Sequence, residues 1–289
     1  MNSHDSSPIH QFIAAVLPVT CIEPDLSASG GQALSLVSTQ GKFNAWTWIH
    51  DLPLAGPDDP VPVGTACTLS LGASNASALV LTRFKPAHDE HALRLVSPLA
   101  CPVAGEVSTV RRLVASIRNP DLRDFVCEAL SITTAFHWYW TCPASLAHHH
   151  AYPGGLARHS REVAERAARA VGDRPLQRDY AIAYGLLHDY GKLWSYEGGH
   201  LTRAAQRLGH EQLGYDKLMK PLHRLRERWE EGGYVMQSLL SGNWKRDRHL
   251  PAVAVGNIVR SLDQFSAEEG RGGRPSPPIR SPRTASLHS

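Results

Sequence analysis

Hydrophobic and polar positions fall into two regimes along the chain. Between residues 20 and 96, short apolar runs alternate with turn-forming residues. Ala33 to Thr39 and Lys42 to Ile49 are two such runs, joined by Gln40-Gly41, a hairpin signal. Thr65 to Leu71, Ala78 to Thr82 and Ala92 to Val96 are three more, and the Pro/Asp-rich stretch Leu52 to Pro62 reads as a surface loop. Five short strands in this span predict a small barrel or sandwich, and an OB-like barrel is the expected form.

From Glu106 the period becomes helical. Val107, Val110, Val114 and Ile117 keep the spacing of one helix face. Asn119-Pro120 breaks that helix, and Asp121 is placed to cap the next, Leu122 to Ala135. Further helical patterns cover about 155–171, 177–190, 208–229 and 250–266. The fold class is therefore α+β. Residues 1–19 form an N-terminal arm, 20–96 the OB-like β domain, 97–105 a Pro/Gly linker and 106–266 an all-α domain. Residues 267–289 are a basic Gly/Pro/Arg/Ser tail whose composition buries no core and reads as disordered.

Composition narrows the function classes. Of 289 residues, 42% are apolar, enough for packed cores, but no apolar run approaches the roughly 20 residues of a membrane helix. The first ten residues are polar, without the basic flank and apolar stretch of a secretory leader. Five cysteines at wide spacings, with no CxxC pair, argue against a disulfide framework or a cysteine-built zinc site. They read as small buried residues in a cytoplasmic protein. Residues 1–100 hold 4 Lys/Arg against 8 Asp/Glu, so the net charge of +3 conceals a basic remainder. That charge lends modest attraction for phosphate.

Histidine, at 16 residues, is over-represented and clusters near 148–159. His159 lies on the apolar stripe of Leu156, Val163, Ala167 and Ala170, where a buried imidazole needs a partner. His188-Asp189 ends the apolar segment Tyr180 to Leu187, with Gly191 placed to end the helix. Asp263 borders the apolar face of Val255, Ile258, Val259 and Leu262. Carboxylates at the edge of apolar helix faces are expensive unless paired or coordinated. Two imidazoles and two carboxylates from separate helices suit one Mn, Fe, Co, Ni or Zn ion better than Mg or Ca.

These residues carry a family resemblance. HHHAYPGGLARHS (148–160), LLHDYGK (186–192), NPDLRDFV (119–126) and IVRSLDQFS (258–266) resemble the HD superfamily of metal-dependent phosphohydrolases. Two branches are similar: OB-fold/HD 3′–5′ exoribonucleases and the TraI-like HD domain of conjugative relaxases. The resemblance implies an all-α HD fold over roughly residues 107–266 and His159, His188, Asp189 and Asp263 as ligands of one divalent ion. Two-metal members carry further histidines. His210 is one candidate ligand for a second metal, but the expected His-His pair falls at Leu239 to Asn243, where no histidine occurs. His223 and His249 are not recommended by spacing.

A bound cation lowers the pKa of its water towards about 7. Asp189 is then the natural residue to orient attack on phosphorus. Lys192 either offsets phosphoryl charge or interacts with a helix end. His149 and His150 are candidates to bind phosphate or protonate the leaving oxygen, while Arg158 and Arg161 read as solvated. Trp46 and Trp48 alternate on one strand face, where they either stack bases or pack into a core. The expected function is a metal-dependent phosphodiesterase on single-stranded RNA or DNA, such as a 3′–5′ exonuclease. The alternatives are a TraI-like protein handling or nicking DNA, a degenerate nucleic-acid-binding module, and a small-nucleotide hydrolase. Neither a P-loop nor a GxSxG elbow occurs in the sequence.

Overall fold

The computed structural model describes residues 9–18, 30–71, 78–87, 91–147, 149–246 and 250–269. The chain divides into two compact units, Met1–Ser97 with Ser131–Thr133, and Pro98–Leu130 with Thr134–Ser289.

The first unit is a closed barrel of β1 (Ile9–Pro18), β2 (Gln32–Ser38), β3 (Gly41–Thr47), β4 (Val63–Leu71) and β5 (Ala78–Pro86). The order is β1-β2-β3-β5-β4, with β1 also pairing β4. β3 and β5 run parallel through Trp46↔Val80 and Thr47↔Leu81, and all other pairs are antiparallel. This arrangement fits an OB-like fold. Alternate residues fill the interior: Ala14 and Val16, Leu34 and Leu36, with Ala45, Ala66 and Leu81. Thr39 and Gln40 make the β2–β3 turn, and the Gln40 N–H donates to Ser38 Oγ at 3.1 Å.

Two strand expectations need correction. β1 lies within the segment read as an N-terminal arm. Its residues Ala14 to Leu17 are all buried, so the period-2 signal that marks a half-exposed strand is missing. The run Ala92 to Val96, read as the fifth strand, instead holds a turn of 3-10 helix, Ala92–Leu95, with Ala92, Leu93 and Leu95 buried. Burial at i and i+3 is the eclipsed pattern of that helix.

The second unit is helical, with α1 (Glu106–Ala115), α2 (Pro120–Ser131), α3 (Thr133–Trp138), α4 (Gly155–Val171) and α5 (Pro175–Leu187). A 3-10 segment Tyr190–Trp194 and a minimal hairpin of β6 (Tyr196–Glu197) and β7 (His200–Leu201) follow. The unit continues with α6 (Arg203–Lys217), α7 (Met219–Arg228), α8 (Glu230–Leu240) and α9 (Leu250–Glu269). Asn119, rather than Asp121, caps α2: its Oδ1 accepts from the Leu122 N–H at 2.9 Å, which leaves Pro120 at the first helical position. The pattern read as one helix over 208–229 is two, parted at Leu218.

α4 and α5 pack unusually close. A Cβ on Gly185 would lie 2.5 Å from Ala164 Cα and 2.9 Å from Ala164 N, so only glycine permits this crossing. Arg161 is not solvated as expected. Its guanidinium donates to both Glu106 oxygens at 2.9 and 3.0 Å, tying α4 to α1 in a forked pair. Cys67, Cys101 and Cys142 are buried and Cys127 is partly buried, and these four form no disulfide among the described residues; Cys21 lies outside them. No described helix is long and apolar enough to cross a membrane. The basic tail read over 267–289 lies outside the described residues apart from the end of α9.

Candidate metal centre

Gly154 begins the site. Its left-handed φ of 87° turns the chain into α4, which brings His159, fully buried, to the middle of the unit. His159 Nε2 lies 3.0 Å from Asp263 Oδ1 on α9 and 3.3 Å from Asp189 Oδ2. His188 follows α5 directly. Its Nδ1–H donates to the Gly185 carbonyl at 2.8 Å, which turns the Nε2 lone pair inward. That Nε2 is buried and has no hydrogen-bond partner among the described residues, at 3.5 Å from Asp189 Oδ2 and 3.6 Å from Asp263 Oδ1. One ligand atom from each of His159, His188, Asp189 and Asp263 falls within 4.8 Å of the others. An orphaned imidazole nitrogen facing two carboxylates and a second imidazole is a donor set that fits a divalent transition ion.

Asp189 is the hub. Lys192 Nζ donates to its Oδ2 at 2.6 Å, and His210 Nε2 lies 3.1 Å from its Oδ1. Burial works against the carboxylate, but Lys192, His188, His159 and His210 outweigh it and hold Asp189 well below the usual range. Burial also pulls His159 down, yet the Asp189 and Asp263 carboxylates prevail and push it up to about 9. His149 moves the other way, to about 4, through burial and the neighbouring imidazoles. In the metal-free protein His159 is thus cationic at neutral pH and His149 neutral.

Residues 156–261 match the family model of the HD domain. Residues 110–184 match the TraI_2 family model, described as "Putative helicase". An HD domain is thus matched over residues 156–261. No curated protein and no solved structure showed significant similarity to the chain. The HD domain implies metal-dependent hydrolase activity.

The helical unit gathers His159, His188, Asp189 and Asp263 at one point, with Lys192 and His210 on Asp189. It does not aim His149 and His150 outward. His149 Nε2 lies 3.3 Å from His159 Nδ1, and His150 is held by Tyr152 Oη at 2.7 Å and Glu162 Oε2 at 3.4 Å. Gly191 does not cap a helix by a left-handed turn. A Cβ there would collide with the His210 carbonyl, so its role is the close passage of α6. Gly209, at φ 77° and ψ 161°, kinks α6 one residue before His210 and turns that ring to Asp189. His223 is exposed and pairs with Glu227, while His148 and His249 lie outside the described residues. In the barrel, Trp46 is half-buried, and Trp48 lies past the end of β3 with its ring over Gly31.

A cavity of about 200 Å³ opens beside the cluster, lined by His188, Asp189, His210 and Asp263 and also by Lys245, Arg260, Tyr184 and Trp244. The sequence reading missed Lys245 and Arg260. Arg260 precedes Asp263 by three residues, so both occupy one face of α9, a spacing that was legible. Leu239 and Leu240 line the same cavity where a His-His pair was expected.

Proposed function

We propose that this chain is a metal-dependent phosphodiesterase acting on single-stranded nucleic acid, with 3′–5′ exonucleolytic cleavage as the mode. The reading rests chiefly on the buried His188 Nε2, which has no hydrogen bond among the described residues and faces Asp189 and Asp263 beside a cavity that Lys245 and Arg260 also line. An ion held by His159, His188, Asp189 and Asp263 would supply Lewis-acid activation of water and phosphate. Lys192 and His210 keep the Asp189 carboxylate ionised and oriented. Lys192 is engaged there, so the charge on a bound phosphate falls to Lys245 and Arg260. Trp46 and the partly exposed Trp48 on the OB-like barrel are candidate base-stacking residues, and the basic remainder of the chain attracts a polyanion. With leucines in place of a His-His pair and His210 paired to Asp189, one metal per chain is the expected occupancy.

Divalent-dependent hydrolysis of a generic phosphodiester should be abolished in Asp189→Ala while the fold, followed by circular dichroism, persists. Hydrolysis at the wild-type rate would remove Asp189 from the centre of the mechanism. The TraI_2 match favours a second reading, DNA handling or nicking in conjugative transfer. Parallel assays on single-stranded RNA and supercoiled plasmid separate the two: trimming of RNA supports the first, relaxation of plasmid the second.

A further inference from the structure

His149 and His150, ahead of α4, are engaged in structure rather than facing the cavity. The His149 carbonyl accepts from Ser145 Oγ at 3.0 Å. The His150 carbonyl accepts from the Ala144 N–H at 3.0 Å and fills the space that a Cβ on Gly155 would need. His150 itself sits at φ 53°, a left-handed conformation unusual for a residue with a side chain. Its ring is anchored by Tyr152 and Glu162, and the His149 ring stands edge-on to it with centroids 4.9 Å apart. The backbone on both sides of the His149 side chain is therefore pinned. Its Nε2 reaches His159 Nδ1 at 3.3 Å, and its buried Nδ1 has no partner among the described residues.

An imidazole that gives one nitrogen to a metal must carry its proton on the other, and that N–H needs an acceptor to fix the ring. For His188 the acceptor is the Gly185 carbonyl. Among the described residues, the hydrogen-bonding atoms next to His159 Nδ1 are His149 Nε2 and, at 3.4 Å, Ser266 Oγ.

We propose that His149 is a positioning residue: it accepts the Nδ1–H of His159 and so presents the His159 Nε2 lone pair to the ion. The inference rests on the metal-centre reading above and assigns the His149–His150 segment a task other than proton donation. Two other tasks fit the geometry less well. His149, His150 and His159 form a cluster of ligand type, but both nitrogens of His150 are already engaged by Tyr152 and Glu162, so a second ion there could not take His150 as a ligand without breaking those contacts. As an acid for the leaving group, His149 would have to face the cavity, and it is not among the residues lining it.

The test titrates the metal-free, full-length protein with Mn²⁺ or Zn²⁺ by calorimetry. Wild type, His149→Phe, which keeps a ring but no acceptor, and His149→Gln, whose amide oxygen replaces Nε2, are compared. His149→Phe is expected to weaken binding about 10–100-fold, with His149→Gln restoring most of it. Ser266→Ala is expected to cost less. Equal affinity in all three proteins overturns the proposal. So does intact affinity with lost hydrolysis in His149→Phe, the signature of an acid. If His149→Phe does not fold, nitrogen-15 spectra of the Zn²⁺-loaded wild type decide. A protonated His159 Nδ1 coupled to His149 supports the proposal, and an unprotonated one refutes it. Failure of the wild type itself to bind metal would instead refute the metal centre.

Discussion

Gly185→Ala tests how the fold sets the metal centre. Two opposing effects decide the outcome. Alanine in a helix interior is favoured over glycine by about 1 kcal/mol. Against that, the added Cβ would sit 2.5 Å from Ala164 Cα, 2.8 Å from Ala164 Cβ and 2.9 Å from Ala164 N. Two of these three are backbone atoms, so no rotamer change relieves them and α4 and α5 must separate by about 1 Å to reach ordinary contact. Overpacking of this kind costs about 1–3 kcal/mol, and backbone contacts place it at the upper end. The net loss is about 2 kcal/mol, a fall in Tm of about 4–8 °C for a unit of this size. α4 carries His159 and α5 leads into His188, so the separation also spreads the ligands. Metal affinity should fall at least about tenfold. Differential scanning calorimetry of the metal-free protein and metal titration of the same sample read the two effects. Adding Ala164→Gly removes only one of the three contacts and should recover less than half of the stability. Wild-type Tm and affinity in Gly185→Ala, or full rescue by Ala164→Gly, would show that the backbone crossing is not the constraint.

Other consequences follow from single contacts. His159 is raised to about 9 in the metal-free protein. The stability this lends is fully present below about pH 6.5 and is lost as pH rises through about 9. Metal must displace that proton, so affinity should climb about tenfold per pH unit up to about pH 9 and level off above it; a flat profile in calorimetry contradicts the assignment. Arg161→Ala leaves Glu106 buried without its forked partner and should cost about 3 kcal/mol in urea unfolding, whereas Arg158→Ala, at a half-exposed pair with Glu162, should change stability by under about 1 kcal/mol. Lys245→Ala and Arg260→Ala should raise KM for an oligonucleotide and flatten its salt dependence with little change in metal content. An unchanged salt slope would take both residues out of phosphate binding.

Much of the centre was legible because its residues break local rules. Asp189 and Asp263 sit at the edges of apolar helix faces, and His159 sits within one, so each demanded a partner. The helical period from Glu106 was equally clear. What escaped depends on tertiary geometry. β1 has no alternating pattern because Ala14 to Leu17 are buried without a break. Arg161 looks like a solvated helix residue until α1 brings Glu106 against it. His210 reaches Asp189 only because Gly209 kinks α6 and Gly191 lets that helix pass close. His149 reads as a phosphate binder or proton donor in sequence, and only the loop geometry turns it to His159.

The central claim is that four side chains meet around one divalent ion, and elemental analysis of the purified full-length protein tests it most directly. The account predicts about one transition-metal ion per chain in the wild type and a large loss in His188→Ala with the helical fold retained. Equal metal content in wild type and His188→Ala, or none in either after incubation with Mn²⁺ or Zn²⁺, would contradict it.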